Sequence, residues 1–238
     1  MPLNEDFSDW VLRFGEPQNG ERADVDTLGY LRGSLPGPFV DFVERYGFGT
    51  VLGGVYRLCD PRWLQPVLTL VLSADEDLAP RTCHAVAHTA FGELQCWSQD
   101  HGPFEISLPE AMVFSHVLAP TRFKDLPDGP GPLPPNHERF AIDLLPQWED
   151  EADFADIDEE PMYEACRGRL GPVDRTQCYG FFPALAVAGP FGPMRRTENV
   201  KIVSALEHYA MLAQLDTFVL TRIGPNGYEA VRPVGPSS

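Results

Sequence analysis

The chain has 238 residues, 43% of them hydrophobic, and carries 35 acidic against 18 basic side chains, for a formal net charge of −17. That apolar share is enough for a buried core, which excludes a globally disordered chain and a disulfide-stapled miniprotein. A surface this negative repels phosphate backbones, which argues against direct nucleic-acid binding and in favour of basic partners.

Phe7, Trp10, Val11 and Phe14 recur at i, i+3, i+4 and i+7 and predict a first helix. Asn4 suits its N-cap, Glu5 and Asp6 its positive end, and Gly15 its stop. A second short helix ends near Leu31 or Arg32. A third opens at Ser34 or Pro36, carries Phe39, Phe42, Val43 and Tyr46 on one face and closes at Gly47. Two short strands follow, one flanked by Gly49, Gly53 and Gly54, the other at 54–58. Asp60-Pro61 opens a fourth helix in which Pro66 predicts a kink or restart. From Thr82 the period changes to two, through 82–91 and Leu94 to Trp97, with Phe104 to Leu108 pairing across the Gly102-Pro103 turn.

Residues 125–136, DLPDGPGPLPPN, hold five prolines and two glycines and read as a linker. Residues 140–166 then contain ten acids and neither Lys nor Arg. A short helix is expected at 161–170. Tyr179 to Val187 reads as extended, broken by Pro183, and the chain turns at Gly189-Pro190. The repeat of Val200, Val203, Leu206, Ala210 and Ala213 predicts a long buried helix from Thr197 to about Leu215. Phe218 to Ile223 and Tyr228 to Arg232 form a hairpin over Gly224-Pro225-Asn226-Gly227. The resulting fold class is α+β. N-terminal helices pack on an antiparallel sheet, and a smaller C-terminal α+β module adds a long buried helix and a hairpin.

Five cysteines without a Cys-x-x-Cys pair suit a reducing compartment. The N-terminus lacks a basic region followed by an apolar one, and no run approaches the ~18 apolar residues of a membrane span. The expectation is a cytoplasmic protein with no membrane partner.

Catalytic signatures are missing. The sequence has no Gly-x-Ser-x-Gly, no phosphate-binding Gly-x-x-x-x-Gly-Lys-Ser/Thr and no Gly-x-Gly-x-x-Gly. Cys83, His84, His88, Cys96 and His101 raise the question of a metal, but on a strand His84 and His88 lie about 13 Å apart, too far to share one ion. They read instead as structural cysteines and surface histidines. Asp153, Asp156, Asp158 and Glu159 lack the glycine and the spaced glutamate of a calcium loop. No catalytic residue, cofactor or metal is expected. What remains is charge. Trp148, Glu149, Asp150, Glu151, Asp153, Phe154, Asp156, Asp158, Glu159 and Glu160 interleave carboxylates with apolar anchors. They form a candidate surface for a basic partner, or a solubilising segment docked on its own domain.

The stretch LPGPFVDFVERYGFGTVLGGVYRLCDPRWLQPVL (35–68) and HTAFGELQCW (88–97) resemble the GAD-related domain. YGFFPALAVAG (179–189) with NVKIVSALEHYAMLAQL (199–215) is similar to the C-terminal domain of type VI secretion immunity proteins, with Pro190 departing from a Gly-Gly-like turn. The resemblance implies a GAD-related domain at 1–124, a linker at 125–139 and an immunity-type domain at 140–238. It further implies a non-enzymatic immunity protein of bacterial competition that neutralises a cognate effector, a basic DNase, by occluding its active site. Two alternatives stay open: a metal-binding regulator or enzyme using His84, His88 and Cys96, and an acidic interaction module with no toxin partner.

Overall fold

The structure, a computed structural model, describes residues 3–122 and 139–235. Of the segment read as a linker, 125–139, only Arg139 lies among the described residues.

The chain opens with helix α1 (Glu5–Phe14), the short exposed strand β1 (Gln18–Glu21), and helices α2 (Val25–Ser34) and α3 (Gly37–Tyr46). The Asn4 side chain accepts from Phe7 N at 3.0 Å and Asp24 from Thr27 N at 2.7 Å, which satisfies two of the free N–H groups at these helix starts. Strands β2 (Phe48–Val51) and β3 (Tyr56–Leu58) lead to α4 (Pro61–Val71), a single helix with Pro66 inside it. Next come β4 (Cys83–Thr89), β5 (Glu93–Ser98), β6 (Gly102–Ser107) and β7 (Met112–Phe114). The C-terminal half holds α5 (Tyr163–Leu170), β8 (Gln177–Phe181), α6 (Leu185–Ala188), β9 (Val200–Ser204), α7 (Ala205–Leu212), β10 (Val219–Gly224) and β11 (Gly227–Pro233). The fold is α+β.

Nine strands form one sheet in the order β1-β2-β3-β4-β5-β6-β7-β10-β11, and β8 and β9 pair separately. Neighbours run antiparallel except β7 and β10, which are parallel, so the final hairpin extends the sheet begun at residue 18. Its strands end at Gly224 and restart at Gly227, leaving Pro225-Asn226 as a two-residue turn.

The helix expected over 197–215 is divided. Residues 200–204 are β9, paired with β8 from Val200↔Phe181 to Ser204↔Gln177, and the helix covers only Ala205–Leu212. Val200, Ile202 and Val203 are β-branched, a type that packs well on a pleated strand. Pairing with β8 outweighed the helical spacing of the apolar residues.

One face of the sheet, carrying Leu94, Cys96, Phe104, Ile106, Val113 and Leu220, packs against α4 and α7. The opposite face carries Trp97 beneath the N-terminal helices, in a second core shared with the C-terminal segment. That second core is organised around the β4–β5 turn. Phe91 at its apex is 1% exposed. Its ring lies 5.6 Å from Phe154, 5.5 Å from Tyr179 and 6.2 Å from Phe181. Tyr179 N donates to Ala90 O at 2.8 Å, and the Tyr209 hydroxyl to Thr89 O at 3.2 Å. Gly92 has φ +95°, and a Cβ there would lie 2.9 Å from the Tyr209 ring, so glycine is required twice over.

The C-terminal end is tied down electrostatically. Arg232 reaches Asp75 at 2.6 Å and Asp77 at 2.6 Å, and Gly235 N donates to Asp75 at 3.1 Å. Burial alone would raise the Asp75 carboxyl, but Arg232 and three backbone N–H donors bring it down to about 2. Because the folded value lies below the ordinary 3.8, its stabilisation is complete above that pH and is lost as pH falls toward about 2. Asp75→Ala is expected to cost about 2–4 kcal/mol, since it leaves three backbone N–H donors unpaired and Arg232 with Asp77 alone. Urea denaturation at neutral pH checks this; a loss under about 1 kcal/mol would refute the clamp.

Candidate protein-binding site

The residues first singled out do not form one surface. Phe154 is 2% exposed in the Phe91 cluster, so it anchors the acidic segment to the protein's own core and is withheld from any partner. Trp148 is 62% exposed, with the Arg13 guanidinium 5.1 Å from its ring centre. Glu149, Asp150, Glu159 and Glu160 are exposed. Asp153 accepts from Tyr163 N at 2.9 Å and so supports the start of α5. Asp156 accepts from Asp158 N at 2.7 Å and Glu160 N at 3.1 Å and shapes its own loop, while Asp158 pairs with Arg196 at 2.8 Å. Glu151 accepts from Trp148 N at 3.0 Å and from Gln147 N. It then faces a cleft of about 430 Å³ that the sequence did not reveal.

The cleft follows from strand alternation. On β5, Leu94 and Cys96 turn to the core, so Glu93 and Gln95 turn the other way. On β6, Phe104 and Ile106 turn inward and Glu105 outward. The ladder sets Gln95 opposite Glu105 and Glu105 opposite Phe114, and Phe114 beside Thr221 of β10. These side chains make the floor. The acidic segment makes one wall, held by the Gln95 amide donating to Asp143 O at 2.8 Å. Ile223 and Tyr228, at the tip of the last hairpin, make the other. Glu93, Glu105, Glu110, Asp143 and Glu151 therefore converge.

Glu110 is held by Arg195, in an ion pair largely hidden from solvent. Burial, with repulsion from Glu110 and Glu105, pushes the Glu93 carboxyl well above the usual carboxylate range, and Arg195 only partly opposes this. Glu105 is reached by solvent but crowded by protein. That crowding, and then Glu151, push it up to about 7, and Glu93 lies near it on the neighbouring strand. The cleft thus gathers carboxyl groups between an acidic wall and an apolar one.

A second cavity of about 430 Å³ is bordered by Trp63, His88 and Arg175. Arg62 bonds Asp60 at 2.5 Å, and Arg175 bonds Glu21. Of the histidines read as surface groups, His84 and His88 are buried. His84 Nδ1 is hydrogen-bonded to the Tyr30 hydroxyl at 2.9 Å, and His88 Nδ1 to the Tyr209 hydroxyl at 3.0 Å. Burial lowers His88 to about 3. Cys96 is buried, and its thiol is pushed well above the ordinary range. Among the described residues no group of His, Cys, Asp and Glu is placed to hold a metal ion, and no helix is long and apolar enough to cross a membrane.

Residues 5–109 match the family model of the GAD-like domain, and residues 140–216 match that of the type VI secretion immunity protein Tdi1, C-terminal. The two matches follow one another along the chain. The crystal structure of Atu4351 from Agrobacterium tumefaciens shares the fold, with a TM-score of 0.80 over 98% of this chain and 99% of that one at 24% identity. No curated protein matches the chain. The GAD-like match contains the Thr89–Gly92 turn, and the Tdi1-type match contains Phe154, Tyr179, Phe181 and Tyr209, which close over it.

A carboxyl whose folded pKa is raised favours its protonated form in the fold. The associated stability is fully present below the ordinary 4.5 and is lost as pH rises through about 7. Glu105→Gln is therefore expected to raise the melting temperature at about pH 8 and leave it unchanged at about pH 4. Thermal melts by circular dichroism check this, and no gain at the higher pH would contradict the crowding of Glu105.

Proposed function

We propose that this chain is an immunity protein that binds and neutralises a cognate type VI secretion effector in the cytoplasm. The Tdi1-type match over residues 140–216 is the observation that carries this reading. The effector is read as a DNase. Such an enzyme must hold a polyanion, so its active cleft is positive, and a protein of net charge −17 is a complementary plug. The inhibitor then needs no chemistry of its own. It must associate fast, which charge promotes, and dissociate slowly, which buried anchors promote. Nuclease–immunity pairs of other families reach about 10⁻¹³ M or tighter.

Co-expression with the effector encoded beside it is expected to restore growth and to give a stoichiometric complex on gel filtration. Separate elution of the two proteins at micromolar concentration would end this reading. The exposed carboxylates should set the association rate. Neutralising Glu149, Asp150, Glu159 and Glu160 together is expected to slow association several-fold at low salt and flatten its salt dependence, with dissociation little changed. Asp153 and Asp156 are left intact because they hold their own loop together. Stopped-flow mixing measures both rates, and an unchanged low-salt association rate would remove this face from the encounter surface.

A further inference from the structure

The rim of the cleft holds apolar side chains that the fold itself leaves uncovered. Phe191, Tyr228 and Ile223 are 50%, 54% and 50% exposed at its mouth. Phe191 stacks on Tyr228 at 5.9 Å, and Tyr228 meets Phe114, on the cleft floor, at 5.5 Å. Contiguous exposed aromatic surface of this kind marks an interaction site. The volume of about 430 Å³ falls within the ~300–1,000 Å³ of pockets that enclose a ligand group.

We propose that the cleft receives an arginine side chain from the partner, its guanidinium among Glu93, Glu105 and Glu151 and an apolar neighbour laid across Phe191 and Tyr228. This deepens the immunity reading and rests on it for the identity of the partner. Charge complementarity selects the occupant. The planar guanidinium donates in several directions at once, fits carboxylates two by two and stacks on aromatic faces. An anion is repelled. A second copy of this chain also carries −17 and is disfavoured as the occupant.

The test uses the full chain and a blocked heptapeptide whose central arginine is flanked by leucine and phenylalanine, compared with the same peptide carrying uncharged citrulline. By titration calorimetry the citrulline peptide is expected to bind about tenfold more weakly or worse, as is the arginine peptide to Glu105→Lys. Phe191 is exposed, so Phe191→Ala should keep the wild-type melting profile and tests the rim at constant charge with a several-fold loss, while Glu105→Lys, which removes a crowded carboxyl, should melt no lower than the wild type. Equal binding of the two peptides, or wild-type affinity in both variants, would overturn the proposal. So would a dimer of the free chain that Glu105→Lys dissolves. Growth protection separates the two levels of argument. If the wild type protects against the effector and both variants protect equally well, the cleft is not the docking site while the immunity reading stands. If the wild type fails to protect, the immunity reading falls and the peptide titration decides the cleft by itself.

Discussion

Everything that faces the candidate site hangs on the turn Thr89-Ala90-Phe91-Gly92. Ala90 is bonded on both sides, its N–H donating to Val55 O at 2.7 Å and its carbonyl accepting from Tyr179 N at 2.8 Å. Phe91 fills a socket made by Phe154, Tyr179 and Phe181. These three come from the C-terminal half, so the turn is where that half is seated on the sheet. Phe154 belongs to the acidic segment, and its burial fixes where the carboxylates to either side of it emerge. Arg195 lies over the outer face of the Phe154 ring at 4.1 Å and also pairs with Glu110, which links the socket to the edge of the cleft. A single aromatic cluster therefore sets the position of the charged wall relative to the charged floor.

The cleft runs against the interests of folding. Carboxylates brought together in a crowded pocket repel one another, as Glu105 does Glu93 and Glu151 does Glu105. The N-terminal end of the same sheet face is covered and apolar, around Trp97 and Leu144. Nothing in the fold would prevent apolar residues at positions 93 and 105 from extending that core. Local cost of this kind concentrates where a protein must recognise something else. The capping roles of Asp153 and Asp156 follow a different logic. There the carboxylates stabilise the chain by accepting backbone N–H groups, and their charge is incidental.

Much of the fold was legible in the sequence because local signals agreed with tertiary ones. Asn4, Asp24 and Asp60 sit before apolar runs and each caps a helix. The alternation in 82–98 foretold β4 and β5. Residues 200–204 misled because an apolar run with helical spacing also satisfies a buried strand, and the partner that decided the matter, β8, lies more than twenty residues earlier in the chain. The acidic run was visible, but its split into exposed, capping and core residues was not, since Phe154 looks the same in sequence whether it meets a partner or Phe91. The cleft left only a faint trace. Glu93, Gln95 and Glu105 fall on the outward phase of their strands, but the arrival of Glu151 depends on a bond spanning 48 residues, from Gln95 to Asp143, and that of Ile223 and Tyr228 on still more distant pairing between β7 and β10.

Hydrogen–deuterium exchange of the chain alone and in complex with the effector encoded beside it tests the central claim, that the partner is held over the carboxylate cleft, most directly. The account predicts slowed exchange at residues 143–151, at 103–106 on the floor and at the 222–228 hairpin tip. Slowed exchange confined to the surfaces of α1 and α2, with the cleft exchanging as in the free chain, would contradict it.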